Sequence, residues 1–340
     1  MKILYAIQGT GNGHIARAFE VIGHLKRHGE VDILISGTQC DIKLPWKVKY
    51  RFYGLSFIFG KKGGVDLKQT VARMRPYEFF KEMMAVPVHK YDLVLNDFEP
   101  VTAWACKLRN VKCVGISHQS AVLHQKAPKP AVKDAFGKAI LKHYAPVSDA
   151  QGFHFKSIDD NISTPVIRDD VRWAKNVDKG HYTVYLPSYS DEKIIRVLSQ
   201  FKDTQWHVFS KHTDQSYLSS GNIVIRPVNK EKFTKSMITG TGVLCNAGFE
   251  TPAEALYLGK KLCVIPMKGQ YEQACNAAFL ESLGVTSLKH LNLDCNRIGE
   301  WIHSSQRLKM HYPDDLARII DNLMTKHVYA GQGAGNFAIS

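Results

Sequence analysis

The sequence predicts an α/β protein with two doubly wound domains in series, and three observations support this fold class. Short apolar runs rich in β-branched residues alternate with longer segments of helical period, as in parallel strands joined by crossover helices. The alternation occurs twice, on either side of a polar stretch without periodicity near residues 160–180. A chain of 340 residues is long enough for two domains that each bury a core. We therefore expect two sheets whose carboxyl edges face a common binding cleft.

The first predicted domain spans residues 1–165 and opens with a strand, a glycine-rich turn and a helix. Its strands are predicted at residues 2–8, 31–36, 91–97 and 112–118, with helices at residues 15–29 and 101–109. Each strand ends in polar or glycine residues, which is where an open α/β sheet carries its ligand groups.

A linker at residues 166–180 precedes the second predicted domain, residues 181–325, and a glycine-rich tail follows at residues 326–340. The second domain repeats the alternation, with strands predicted at residues 181–187, 206–211, 222–227, 242–246 and 261–266. Its helices are predicted at residues 190–201, 251–259, 272–284 and 313–326.

The charge balance is basic, because 45 Lys and Arg residues outnumber 31 Asp and Glu residues and give a net charge of +14. Such a surface favours anionic partners. The basic residues are not interleaved with aromatic residues as in RNA-binding proteins, so we expect no nucleic-acid partner. A basic face suited to an anionic membrane surface would carry Lys43, Lys47, Lys49, Arg51, Lys61 and Lys62.

Neither a membrane span nor a signal peptide is predicted. No segment approaches the roughly 18 to 20 continuous apolar residues of a span, and the opening apolar run reaches a glycine turn too soon for a signal peptide. We expect a cytoplasmic protein, with the basic face allowing peripheral attachment to the inner side of the membrane. The seven cysteines include no CxxC pair and are expected to be reduced core thiols, so no metal site is predicted.

The turn "GTGNGH" at residues 9–14 is similar to a dinucleotide-binding fingerprint but differs from it at the decisive position. The fingerprint requires G-x-G-x-x-G, whereas here Gly9, Gly11 and Gly13 are followed by His14. The second strand also ends without the acidic residue that binds an adenosine ribose, so NAD binding is not expected. Two interpretations remain: a tight βα turn with a surface histidine, or a turn that brings Gly11, Gly13 and His14 to a ligand. In the second case the helix N-terminus favours a neutral imidazole that can act as a general base.

Residues 242–278 contain a second candidate site. An apolar strand runs into Asn246, and a helix begins near Thr251-Pro252, where a hydroxyl group and unpaired amides can bind a phosphate. Glu254 has two interpretations, as the capping-box partner of Thr251 or as a carboxylate that accepts the hydroxyl groups of a ribose.

The segment "NAGFETPAEAL" resembles the donor-binding signature of UDP-glycosyltransferases, commonly His-Cys-Gly-Trp-Asn-Ser-x-x-Glu. The resemblance implies a donor site formed by Gly248, Phe249, Thr251 and Glu254, with Asn246 in place of the usual histidine. "IPMKGQYEQACNA" resembles the segment of that family that contacts the donor sugar, which implies this role for Glu272 and Gln273. Val228, after a strand that ends near the same cleft, would bind uracil through its main chain.

The first half resembles the acceptor domain of MurG-like glycosyltransferases. "GTGNGHIARA" is similar to their glycine-rich, histidine-bearing loop, which implies that His14 is the base. "YDLVLNDFEPVTAWACKLRNVKCVGISHQS" resembles a segment in which an Asp ends one strand and a His or Gln ends the next. Asp97 would orient His14 or serve as the base itself, and acceptor contacts would come from Glu99, His118 and Gln119.

The resemblance implies two Rossmann-like domains of the GT-B type and transfer of a sugar from a UDP-sugar to an acceptor hydroxyl group. A lipid-linked or cell-envelope acceptor would suit the basic face. Inversion at the anomeric carbon, no metal and no cofactor other than the donor substrate are expected. Two alternatives remain open: a nucleotide-sugar 2-epimerase of the same fold, and a non-catalytic protein that binds a sugar nucleotide or a nucleic acid.

Overall fold

Two seven-stranded sheets form the protein, and each is flanked by helices. The computed structural model describes residues 1–37, 44–55, 75–131, 134–291 and 295–330. Cys40, three lysines of the predicted basic face (Lys43, Lys61 and Lys62) and the tail residues 331–340 lie outside the described residues. The strand orders are β3-β2-β1-β4-β5-β6-β7 and β10-β11-β9-β8-β12-β13-β14. This double α/β architecture confirms the predicted fold class.

The N-terminal sheet is parallel throughout. Its strands are β1 Lys2–Gln8, β2 Glu30–Ser36, β3 Tyr50–Phe52, β4 Leu93–Asp97, β5 Cys113–Ser117, β6 Asp149–Phe153 and β7 Ile162–Ser163. Its helices are α1 Gly13–Leu25, α2 Pro76–Ala85, α3 Pro100–Leu108, α4 His118–Leu123 and α5 Ala135–Tyr144, with a 3₁₀ turn at Val88–Lys90.

The C-terminal sheet is parallel except for the edge pair β10–β11. Its strands are β8 His181–Tyr185, β9 Gln205–Ser210, β10 Tyr217–Ser219, β11 Ile223–Pro227, β12 Gly242–Asn246, β13 Lys261–Ile265 and β14 Thr286–Ser287. A short helix α6, Asp169–Arg172, lies in the linker, and the later helices are α7 Asp191–Leu198, α8 Lys230–Thr239, α9 Glu250–Tyr257, α10 Tyr271–Ser282, α11 Cys295–His303 and α12 Leu316–Met324.

The central strands are buried along nearly their whole length, which explains why they read as apolar runs without alternation. β4, β5, β12 and β13 are buried at every residue, as expected for parallel strands covered by helices on both faces. Polar side chains nevertheless end three of them, at Asp97, Ser117 and Asn246. Because the strands are parallel, these polar ends lie on the carboxyl edges of the two sheets.

The last helix leaves the C-terminal domain and packs on the N-terminal one. His28 Nε2, just after α1, lies 3.0 Å from Asp321 Oδ1 of α12. A π-helical turn at Thr325–Tyr329 follows, and Lys326 Nζ lies 2.6 Å from Asp149 Oδ2 of β6. From the sequence, α12 is expected to belong to the C-terminal domain, and a tail is expected from residue 326. In the structure α12 and the turn after it contact the first domain.

The cysteines and helices add two general observations. Cys106, Cys113, Cys245, Cys263 and Cys275 are buried, and Cys295 is half-buried. Among the helices that the structure describes, none is both long and apolar enough to cross a membrane.

We expect α12 to contribute to stability through its buried face. Ile320 is fully buried, so Ile320→Ala should lower the free energy of unfolding by about 2–5 kcal/mol, the usual cost of such a cavity. Arg318→Ala, at an exposed position of the same helix, is the matched control. If the two variants had equal urea midpoints, the buried face of α12 would not contribute to stability as expected.

Candidate active site

A cavity of about 220 Å³ lies between the two domains. Its wall contains almost every residue that the sequence analysis assigned to the site. These are Gly11, Gly13, His14, His118, Gln119, Val228, Asn246, Gly248, Phe249, Thr251, Glu254, Glu272 and Gln273. The cationic side chains Arg17, Arg168, Lys211 and Lys230 also line it. Among the described residues, no three His, Cys, Asp or Glu side chains are placed to hold a metal ion.

The glycine-rich turn brings His14 to the N-terminus of α1 at the cavity wall. Gly9 donates its amide to the Ser36 carbonyl, and a Cβ atom at Gly9 would lie 2.8 Å from Ile35. Gly11 has a φ of +94°, a conformation that favours glycine. A Cβ atom at Gly13 would lie 3.5 Å from the Glu250 carboxylate across the cleft. The three glycines therefore serve close packing, a left-handed turn and the approach of the two domains.

His14 and Asp97 form a hydrogen-bonded pair. His14 Nδ1 lies 2.7 Å from Asp97 Oδ1, and Asp97 is fully buried. Since a carboxylate can only accept, Nδ1 donates, and the lone pair of a neutral ring is then on Nε2. Gln119 Nε2 lies 3.5 Å from His14 Nε2, so this nitrogen is on the side of the ring that faces the cavity wall. The pair has the geometry of a general base and its orienting carboxylate.

The charge of Asp97 is maintained by its neighbours. Burial by itself raises the pKa of this carboxyl group, but the Arg17 guanidinium and His14 outweigh burial and hold it below its usual value. Tyr5 donates its hydroxyl group to Asp97 Oδ2 over 3.2 Å. Asp97 is therefore an anion that keeps the His14 ring in one orientation.

Arg17 is a site residue that the sequence analysis missed. It donates to both oxygens of Asp97, at 3.1 Å from Nε and 2.5 Å from an Nη atom, and its other Nη donates to Glu250 of the second domain. The sequence could have indicated Arg17, because positions three apart on a helix share a face and Arg17 follows His14 at that spacing. Glu250 could also have been found, since it stands where the UDP-glycosyltransferase signature has Asn.

Glu254 lines the cavity, but the structure gives it a partner from the linker. Arg168 donates to both of its oxygens, at 2.6 and 2.8 Å, and also contacts the Thr234 hydroxyl group. Each carboxylate oxygen has a second lone pair, so both can still accept a hydrogen bond from a hydroxyl group of a ligand in the cavity. No local pattern marks Arg168, because its partner is 86 positions away.

Three other predicted donor residues already make protein contacts. Asn246 donates its side-chain amide to the Ile265 carbonyl and accepts from Ser188. Gln273 accepts a hydrogen bond from the Met267 amide through its side-chain oxygen. The Val228 amide donates to the Ser210 carbonyl, which leaves the Val228 carbonyl as its main-chain group for a ligand.

Glu272 and Gln119 connect the two walls close to His14. Gln119 donates to Glu272 Oε2 over 3.0 Å, and burial raises the pKa of Glu272. Glu272 also borders a second cavity, of about 210 Å³. Thr10 and Gln270 border both cavities, and aromatic walls of the second one are Phe98, Phe136, Tyr144 and Tyr271.

His118 lies at the domain interface. Its ring stacks on Phe249 with centroids 3.9 Å apart, and its nitrogens lie 2.7 Å from the Phe153 carbonyl and from Asn276 Oδ1. Burial and the neighbouring His154 lower the pKa of His118 to about 3, so the ring is neutral near pH 7 and donates to one of these two oxygens. Its edge reaches the cavity wall, but the ring mainly holds the two domains together.

Glu99 does not face the cleft, contrary to the expectation from the sequence. It is fully buried, accepts hydrogen bonds from the amides of Val101 and Thr102, and accepts another from the Ser36 hydroxyl group. These contacts make it the N-cap of α3, directly before Pro100. With its oxygens engaged in this way, Glu99 fixes the start of a helix and is not placed to contact an acceptor.

Two α/β domains with a cavity between the carboxyl edges of their sheets form the architecture of the GT-B fold. Acinetobacter baumannii MurG has a similar structure, with a TM-score of 0.57 and 15% identity over 96% of this chain and 100% of that chain. Arabidopsis thaliana UGT89C1, solved with UDP, gives a TM-score of 0.55 and 10% identity over 98% of both chains. Oryza sativa Os79, solved with U2F and trichothecene, gives 0.57 and 12% identity over 96% and 95%. At these identities the likeness establishes the fold.

The family follows from the sequence match. Residues 1–305 match the model of glycosyl transferase family 1, and the chain belongs to that family. The protein is therefore a glycosyltransferase with the GT-B fold, as the sequence resemblance implied. No curated protein sequence matches the chain.

We expect acid to destabilise the fold through its buried histidines. In the unfolded chain a histidine binds a proton below about pH 6.5, whereas the pKa of His118 in the folded protein is about 3. The stability that neutral His118 contributes is therefore complete above about pH 6.5 and falls as the pH falls towards 3. Between pH 7 and pH 5 the loss of unfolding free energy should be about 2 kcal/mol smaller in His118→Gln than in the wild type.

Urea denaturation at several pH values measures this difference. His303→Gln, which removes an exposed histidine, is the control. If His118→Gln lost as much stability on acidification as the wild type, the ring would not be held neutral in the fold.

Proposed function

We propose that the protein transfers a hexose from a UDP-sugar to an acceptor hydroxyl group, with inversion and without a metal ion. The observation that carries this proposal is the His14–Asp97 pair, in which His14 lines the same cavity as Thr251 and Glu254 of α9 and Asp97 is buried beside it. A base and a nucleotide seat on opposite walls of one cavity are what a direct displacement requires.

The donor would lie along the C-terminal wall. Thr251 and the amides at the start of α9 offer hydrogen bonds and a favourable dipole to a diphosphate. Nothing lies within 4 Å of a Cβ atom placed on Gly248, so a ligand can approach the backbone there. The ribose hydroxyl groups would bind the open lone pairs of Glu254, and Glu272 and Gln273 would contact the sugar.

The reaction would proceed in one displacement. The acceptor oxygen bonds to the anomeric carbon while the bond from that carbon to the phosphate oxygen breaks, and UDP leaves with the electron pair. His14 Nε2 takes the acceptor proton, and Asp97 stabilises the imidazolium that forms. The cations around the cavity and the N-terminus of α9 stabilise the charge on the leaving diphosphate.

The acceptor would enter through the second cavity. Its walls are largely apolar and aromatic, so an acceptor with an apolar or ring-bearing portion fits them better than a free sugar. Glu272 borders both cavities and would lie beside the point where donor and acceptor meet. A lipid-linked acceptor is consistent with these walls. Lys49 belongs to the basic face that would suit an anionic membrane, but its Nζ atom lies 2.5 Å from Asp32 Oδ2 in an ion pair.

The donor site can be tested by binding alone. Glu254→Gln keeps the side-chain shape but removes the charge that orders ribose hydroxyl groups, so UDP affinity should fall about 10- to 100-fold in calorimetry. Glu281→Gln, on the exposed side of α10, is the control. Unchanged UDP affinity in Glu254→Gln would remove Glu254 from the donor site.

The base can be tested by turnover. With a panel of UDP-hexoses as donors and phenolic and long-chain alcohols as acceptors, His14→Gln should lower kcat by about 10²- to 10⁴-fold. UDP affinity should change little, because the ring contacts the acceptor. Wild-type activity should persist in EDTA if no metal is used. Release of UDP without consumption of any acceptor would instead indicate 2-epimerase chemistry.

A further inference from the structure

Arg17 joins the two halves of the site. It is 2% exposed, lies on α1 and donates to both oxygens of the Asp97 carboxylate. One Nη atom lies 3.2 Å from His14 Nδ1, beside the hydrogen bond between His14 and Asp97. The Phe153 ring lies behind the guanidinium, 5.8 Å away. The planar cation therefore holds Asp97 in the orientation that His14 uses.

The remaining Nη atom of Arg17 reaches the other domain. It donates to Glu250, the first residue of α9, whose side chain is 17% exposed and lines the cavity. One buried guanidinium thus binds a carboxylate from each domain. The His14–Asp97 pair of the N-terminal domain is thereby connected to the helix at which the donor would bind.

Glu250 is an unexpected residue at this position. A carboxylate next to Thr251 at the start of α9 would repel a diphosphate bound there, whereas the Asn of the signature would not. Burial raises the pKa of Glu250, and the charges of Arg17 and His14 offset this effect only in part. The charge can therefore be tolerated beside a diphosphate only while Arg17 neutralises it.

We propose that Arg17 is a positioning residue that neutralises Glu250 and so links the His14–Asp97 pair to the donor helix. The inference rests on the proposed donor site. It implies that donor affinity depends on Arg17 chiefly through Glu250. Loss of the contact should weaken UDP binding, and removal of the Glu250 charge should restore it.

The test is a double-mutant cycle with UDP as the probe, measured by calorimetry. Glu250→Gln should bind UDP as tightly as the wild type or up to about tenfold tighter, because a like charge is removed. Arg17→Lys keeps a positive charge but cannot bind Asp97 and Glu250 at once, so UDP affinity should fall about tenfold. The double variant should return to within about threefold of the wild type.

A matched control is the ion pair of Arg307 and Asp178, 2.7 Å apart and outside the cavity wall. Arg307→Lys, Asp178→Asn and their combination should leave UDP affinity unchanged. Thermal denaturation shows whether each variant folds. If Arg17→Lys does not fold, the UDP affinity of Glu250→Gln still tests the proposal.

The outcomes separate the two proposals. Weaker UDP binding by Glu250→Gln, or a double variant no better than Arg17→Lys, would overturn the role of Arg17 and leave the donor site standing. A wild-type protein that binds no UDP at millimolar concentration would overturn the donor site, and this inference with it.

Discussion

The burial of one carboxylate, Asp97, is the constraint on which the site depends. An unpaired carboxylate in an apolar interior costs several kcal/mol, so the end of β4 can carry this residue only if donors surround it. Arg17, His14 and Tyr5 are these donors. Arg17 and His14 share a face of α1, and both must reach Asp97. This requirement fixes where α1 begins, and the glycines of the preceding turn allow the helix to begin there. The orientation of the candidate base follows from the requirement that a buried charge be satisfied.

The same kind of constraint joins the domains. Arg17 reaches Glu250, Arg168 of the linker holds Glu254, and His118 stacks on Phe249. Each of these contacts pairs a residue of the N-terminal half or linker with one near the start of α9. The helix that would bind the donor is thus held by polar and aromatic contacts from outside its own domain, and α12 packs on α1.

Much of the fold and part of the candidate site could be predicted from local patterns. The nine predicted strands agree with observed strands to within two residues, because parallel buried strands are short apolar runs bounded by polar residues. The short strands β3, β6, β7, β10 and β14 were not predicted. The turn before His14 and the segment around Thr251 were predictable for a similar reason, since both follow a strand and open a helix. Glu99 shows the limit of the resemblance: its position before Pro100 is a helix-capping signal, and capping uses its oxygens. The roles of the donor residues remain predictions.

The sequence by itself determined the α/β class, the two-domain order and which strand ends carry polar groups, because periodicity and glycine turns are local properties. The family could also be inferred from it, since the signature near residue 250 is contiguous. Only the tertiary structure decided that Glu254 has Arg168 as its partner, that Glu250 faces Arg17, and that His118 is an interface residue. The members of the Arg17–Glu250 pair are 233 positions apart, and those of His118–Asn276 are 158 apart. Such pairings arise from how the two sheets meet, and no local pattern in either one records them.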